Sequence, residues 1–239
     1  MRKYHCTRYL FLAVSSFATI VAASAPAHAG KSKEIRIVLA GDSTVTDKAG
    51  WGGAIGSFFK PNVKVINFAR SGRSSKSFIN EGHLKKAMAA RPDYLFIQFG
   101  HNDCPGKGPK RYTDPNGSYM DYLKVYIKEA RKAGAKPILL TPMTRRHYDE
   151  QGKMKSILTP YAKAVLQVGK EEKVPVIDLY TGSVKLFERL GESGSNDLQP
   201  KGDRTHFNAK GAKAMAKIIT EGLKEADTEL AKSLKKDKH

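Results

Sequence analysis

Cysteine is almost missing from this chain. Cys6 and Cys104 are the only two, and Cys6 lies in a segment expected to be removed. Cys104 then stands alone, which excludes an intramolecular disulfide and leaves stability to the core. Acidic residues are also scarce: 23 Asp and Glu stand against 42 Lys and Arg, giving a formal net charge of +19. Such an excess favours polyanionic partners, although many of the lysines fall on predicted helix faces or in the tail, where they serve equally as solvated surface. No nucleic-acid recognition motif is present, so nucleic acid is not an expected partner. Long apolar runs are confined to one place, Tyr9 to Ala23. That run is shorter than the roughly 20 residues a spanning helix needs. It follows the basic residues Arg2, Lys3 and Arg8 and ends in Ala27-His28-Ala29. The pattern predicts a secretory signal peptide over residues 1–29, cut after Ala29, and an exported protein with no membrane as partner after cleavage.

The lipase-type elbow Gly-x-Ser-x-Gly is missing too, because Val45 occupies the final glycine position. This argues against the α/β-hydrolase fold. The only Asp-x-His is Asp237-Lys238-His239 in the tail, which argues against a metallophosphoesterase.

What the chain does have is alternation. Apolar, β-branched runs occur at Ile35–Ala40, Val63–Phe68, Tyr94–Phe99, Pro137–Thr141 and Val174–Leu179, and they read as strands buried on both faces. Helical stretches fall between and after them at Gly53–Phe59, Phe78–Ala90, Tyr119–Ala133, Ile157–Glu172, Gly182–Leu190 and Asn208–Ala226. The expected fold is α/β, a three-layer α/β/α sandwich with a five-stranded parallel sheet. One domain is expected over residues 30–231, followed by a disordered lysine-rich tail over 232–239. In such sheets ligands bind beyond the carboxyl ends of the strands. Ser43, Gly72 and Asn102 follow the first, second and third strands, so all three converge on that edge.

Three short motifs carry candidate chemistry: Gly41-Asp42-Ser43-Thr44, Gly100-His101-Asn102-Asp103 and Asp203-Arg204-Thr205-His206. Ser43 sits at a strand-to-helix turn, suited to a nucleophile or to an ordinary N-cap. Asp203 lies three residues before His206, within reach of its Nδ1 if the chain turns, which leaves Nε2 free to take a serine proton. The Asn102 amide and the Gly72 N–H can donate to a developing oxyanion; an Asx-turn and a plain loop glycine are the alternatives. Cys104 reads as a small packing residue at the edge of the site.

Taken together, Ser43, Gly72, Asn102 and His206 resemble the four residues that give the SGNH (GDSL-type) hydrolase superfamily its name. Thr44 stands where many of its members have leucine. Gly50-Trp51-Gly52, Gly72-Arg73-Ser74-Ser75-Lys76-Ser77-Phe78, Phe99-Gly100-His101-Asn102-Asp103, Thr141-Pro142 with Arg145-Arg146, and Asp203-x-Thr205-His206-Phe207 resemble its rhamnogalacturonan acetylesterase branch. The similarity runs from about Ile35 to Leu223. It implies a flavodoxin-like sheet and an enzyme that removes acetyl groups from pectic polysaccharide or, as in some relatives, xylan. It implies Ser43 as nucleophile, His206 as base with Asp203 behind it, and an oxyanion hole of Ser43 N–H, Gly72 N–H and the Asn102 amide. No metal or cofactor is implied. Against such a substrate Trp51 suits a sugar platform, with helix-packing core an equal alternative, and Arg73, Lys76 and Arg146 suit uronate carboxylates, with solvated surface the alternative for each. Two rivals remain: a lysophospholipase or thioesterase of the same superfamily, and an exported glycan-binding protein without turnover.

Overall fold

The computed structural model describes residues 1–3 and 33–236. The predicted signal peptide lies outside them beyond its third residue, as do the last three residues of the tail.

Five strands form the sheet: β1 (Ile35–Gly41), β2 (Val63–Asn67), β3 (Tyr94–Gln98), β4 (Lys136–Leu140) and β5 (Val176–Ile177). Every pairing is parallel, and the order is β2-β1-β3-β4-β5. Successive side chains on a strand point to opposite faces, and here each face has its own core. Ile37, Leu39, Phe96, Ile138 and Leu140 meet Trp51, Phe187, Met215 and Ile219 on one side. Val38, Ala40, Leu95, Ile97 and Leu139 meet Phe78, Leu123, Ile127 and Val165 on the other. Burial on both faces is why the central strands β1, β3 and β4 read as nearly unbroken apolar runs, whereas the edge strand β2 leaves Lys64 exposed.

The first face is covered by α1 (Gly52–Ile55), α6 (Leu179–Ser195) and α7 (Ala209–Ala226), and the second by α2 (Ser75–Asn80), α3 (His83–Ala89), α4 (Ser118–Lys132) and α5 (Thr159–Glu172). Strands β2 and β3 flank β1 on opposite sides, so the chain switches direction between β1 and β3. Crevices form at such a switch, beyond the carboxyl ends of the two strands. Strand β1 runs into Asp42-Ser43 and β3 into Gly100-His101-Asn102.

Three expectations need correction. The helix expected over Phe78–Ala90 is two helices, broken where Gly82 takes a left-handed conformation (φ 76°). Strand β5 is only two residues long, because Pro175 has no N–H for a ladder and Asp178 accepts from Thr181 N at 3.1 Å to start α6. The tail is not disordered through residue 235. A short helix α8 (Thr228–Ala231) precedes it, and Lys60 N donates to Ser233 O at 2.9 Å while Lys235 N donates to Phe58 O at 2.8 Å. Leu234 is buried against the first core, so an apolar side chain among lysines docks the segment while the ammonium groups stay in water.

Candidate active site

The turn after β1 is held from below. Asp42 is buried and caps a 3-10 turn over Ser43–Val45. Its Oδ1 accepts from Thr44 N at 2.9 Å and from Thr44 Oγ1 at 2.7 Å. Gln98, at the end of β3, donates to Thr44 Oγ1 at 2.7 Å, and Trp51 Nε1 donates to Gln98 Oε1 at 2.8 Å. Thr44 thus donates in one direction and accepts in the other, which a leucine there could not do. Burial pushes the Asp42 carboxyl up, against the pull of its Thr44 bonds.

Trp51 is 0% exposed. Its backbone N–H donates to Thr44 O at 3.0 Å. It buttresses the Ser43 turn and offers no face to a sugar, so the sugar-platform alternative is set aside. The flanking Gly52 is required by close approach: a Cβ there would collide with Val45 O.

Ser43 Oγ lies 2.8 Å from His206 Nε2, and His206 Nδ1 lies 2.8 Å from Asp203 Oδ2. The other oxygen, Asp203 Oδ1, accepts from Thr205 N at 2.7 Å and His206 N at 2.9 Å. The Asp-x-x-His spacing therefore folds into a turn closed by the carboxylate itself. Burial of Asp203 works to raise its pKa, but the two N–H groups and the imidazole outweigh it and hold the carboxyl below its ordinary value. Phe207 N donates to Ala49 O at 3.0 Å and Arg146 N to Arg204 O at 2.8 Å, which pins the loop on both flanks.

Gly72 has φ 78°, and a Cβ there would meet nothing within 4 Å. Its glycine is needed for the left-handed backbone, which L side chains rarely adopt, and not for space. Arg70 N donates to Gly41 O at 2.9 Å, and Asn102 Nδ2 donates to Arg73 O at 3.2 Å. Among the described residues the N–H groups of Ser43 and Gly72 donate to no protein acceptor. The structure thus brings Ser43, Asp203 and His206 into one hydrogen-bonded line, and ties the Gly72 loop to both the Ser43 strand and Asn102.

Sequence reasoning passed over Asp103 and His101. Buried Asp103 accepts from Ser75 Oγ at 2.5 Å, Ser75 N at 3.0 Å and Thr113 Oγ1 at 2.9 Å. Burial, with no cation bonded to it among the described residues, pushes its pKa up to about 7. His101 is buried as well; burial and the Arg145 charge push its pKa down to about 3, so the ring is neutral. Arg145 Nη2 donates to His101 O at 2.9 Å. Both residues sit inside a motif singled out for Asn102, and that adjacency was the available signal.

Cys104 is buried and its Sγ donates to Gly100 O at 3.2 Å; burial pushes the thiol up to about 11, far from thiolate chemistry at neutral pH. Arg146 is 4% exposed. It donates to Gln199 Oε1 and Asn196 Oδ1, both at 2.6 Å, and to Glu192 O at 3.0 Å. All its reach is spent on the end of α6 and the segment that follows it, so it is structural and does not line a substrate groove. Arg73 is exposed and held by Glu81 at 2.8 Å. Lys76 Nζ reaches Pro109 O at 2.9 Å. A groove of about 480 Å³ opens beside the site, with Thr46, Lys48, Asn67, Arg70 and Arg73 in its walls.

The three-layer fold, its parallel sheet and the Ser–His–Asp line define a hydrolase of the SGNH type. Comparison with known proteins agrees: the model of the GDSL-like Lipase/Acylhydrolase family matches residues 39–214. The chain belongs to that family. It is 42% identical over 220 residues to the probable rhamnogalacturonan acetylesterase YesY of Bacillus subtilis, covering 84% of this chain and 98% of that one. It is 38% identical over 215 residues to the rhamnogalacturonan acetylesterase RhgT of the same organism, covering 81% and 91%. Among solved structures, protein YxiM of B. subtilis superposes with a TM-score of 0.72 at 28% identity, over 81% of this chain and 57% of that one. Axe2, an acetylxylan esterase from Geobacillus stearothermophilus, shares the fold with a TM-score of 0.63 at 19% identity, over 80% and 94%.

Proposed function

We propose that this protein is an exported serine esterase that removes O-acetyl groups from plant cell-wall polysaccharide, with acetylated rhamnogalacturonan as its substrate. The observation that carries the reading is the unbroken line from Ser43 Oγ through the His206 ring to Asp203, with both contacts at 2.8 Å. The names of the YesY and RhgT relatives support the substrate. The neighbouring groove supports a sugar rather than a lipid, since all its lining residues but Ala49 and Ala69 carry hydrogen-bonding or charged groups, and a long acyl chain needs an apolar channel.

Chemistry follows from the geometry. Ser43 Oγ attacks the acetyl carbonyl carbon while His206 Nε2 takes its proton. Asp203 holds the ring in the tautomer with Nδ1–H and stabilises the imidazolium. The tetrahedral oxyanion is met by the N–H groups of Ser43 and Gly72 and by the Asn102 amide. The C–O bond to the sugar then breaks, and the alkoxide leaves with the proton held on Nε2. Water, deprotonated by His206, attacks the acetyl-enzyme, releases acetate and returns the hydrogen to Ser43 Oγ. Every proton is carried by this chain's own residues.

The test is acetate release from acetylated rhamnogalacturonan and from acetylated xylan, with wild type beside Ser43→Ala. Release from the pectic substrate, lowered by ~10³-fold or more in the variant, is the expected result. Equal turnover by the variant ends the nucleophile assignment, and release from xylan alone moves the substrate.

A further inference from the structure

We infer that the groove beside Ser43 is a subsite for a sugar carboxylate, and that Lys48 and Arg70 are its anchors. This rests on the esterase reading and adds to it the charge of the sugar unit bound next to the ester.

The groove is built from the two segments that follow the central strands. One wall, Thr46 to Ala49, continues the Ser43 turn; the other, Asn67 to Arg73, follows β2. Three contacts tie this space to the chemistry. Thr46 Oγ1 donates to Ser43 O at 2.7 Å. Arg70 N donates to Gly41 O, and Ala49 O accepts from Phe207 N, next to His206.

The charges in the groove are unequal in number and in engagement. Lys48, Arg70 and Arg73 face one carboxylate, Asp47. Asp47 Oδ1 already accepts from Asn67 Nδ2 at 2.7 Å, and Arg73 is held by Glu81 and by Ser71 O at 3.0 Å. The Lys48 and Arg70 side chains make no hydrogen bond or ion pair among the described residues. Arg70 is further fixed at its backbone, so the stem of its guanidinium leaves a defined point on the wall. Two unengaged cations lining one groove suit a single planar anion: a guanidinium takes a carboxylate through two parallel N–H bonds, and an ammonium adds a point charge. A neutral sugar would gain nothing from their charge.

The probe is trigalacturonate, free of acetyl groups, tested as an inhibitor of aryl acetate hydrolysis, with xylotriose beside it. Wild type should be inhibited competitively by trigalacturonate more strongly than by xylotriose. The inhibition constant should weaken with added salt and rise ~10-fold or more in the Lys48→Gln/Arg70→Gln double variant. Arg70→Lys, which keeps the charge but loses the fork, should fall between the two. Circular dichroism shows that the variants are folded. Inhibition of equal strength by the two trisaccharides, or an unchanged constant in a folded double variant, overturns the inference. If wild type hydrolyses no aryl ester, the esterase reading falls on its own. Calorimetric titration with trigalacturonate then decides the carboxylate site: heat lost in the double variant supports it, and no heat with wild type overturns it.

Discussion

His206 Nε2 lies 2.8 Å from Ser43 Oγ, although 163 positions separate the two residues in the chain. The approach depends on Phe207, whose buried ring joins the same core as Trp51 and whose N–H anchors to Ala49 O. Asp203 then fixes the imidazole from behind. Replacing it by asparagine keeps an oxygen for the Thr205 and His206 N–H groups, but the amide can present a donor where Nδ1–H needs an acceptor. The ring then turns its protonated nitrogen toward Ser43. Asp203→Asn should lower kcat by ~10²–10⁴-fold with little change in KM. Steady-state hydrolysis of an aryl acetate measures it, and a kcat within a few-fold of wild type removes Asp203 from the proton path.

Arg146 should behave as a core residue. Its guanidinium satisfies Gln199, Asn196 and Glu192 O, and Ser195 Oγ lies 3.4 Å away. Arg146→Met leaves the buried Gln199 Oε1 without its donor and cuts the ties to Asn196 and Glu192 O, a loss of about 1–3 kcal/mol. Urea unfolding should show a lower midpoint, while KM for acetylated oligosaccharide stays within a factor of two. A raised KM at full stability returns Arg146 to the substrate.

The central strands were legible because burial on both faces leaves short, β-branched, nearly continuous apolar runs bounded by turn residues. Ser43 and the Asp203-His206 pair were legible because their spacing is local: each motif is one turn of backbone. Trp51 was not, since its partner Gln98 stands 47 residues away at the end of another strand. Arg146 was not, because its acceptors lie about 50 residues later. Lys48 and Arg70 come to line one groove only once β2 pairs with β1. The tail misled for a different reason: its lysines set the composition, while its docking rests on Leu234 and on backbone hydrogen bonds to Phe58 and Lys60.

Asp103 gives a pH dependence whose sign is set by burial. An unfolded chain releases this proton near the ordinary value of 3.8, whereas the folded chain keeps it up to about 7. Between those values the folded state binds more protons than the unfolded one, so stability from this group is full below 3.8 and is lost as pH rises toward 7. The cause is a carboxyl taken fully out of water and given hydroxyl and N–H donors but no cation. Asp103→Asn removes the titration and keeps an acceptor for Ser75 and Thr113. Between pH 8 and pH 5 the Tm of wild type should therefore rise relative to that of the variant, whatever constant offset the substitution introduces. Parallel Tm curves across that range would mean that Asp103 stays ionised in the fold. The Ser75 and Thr113 donors alone would then stabilise a buried charge beside Asn102, and the loop carrying Gly72 would be held by an anion at every working pH.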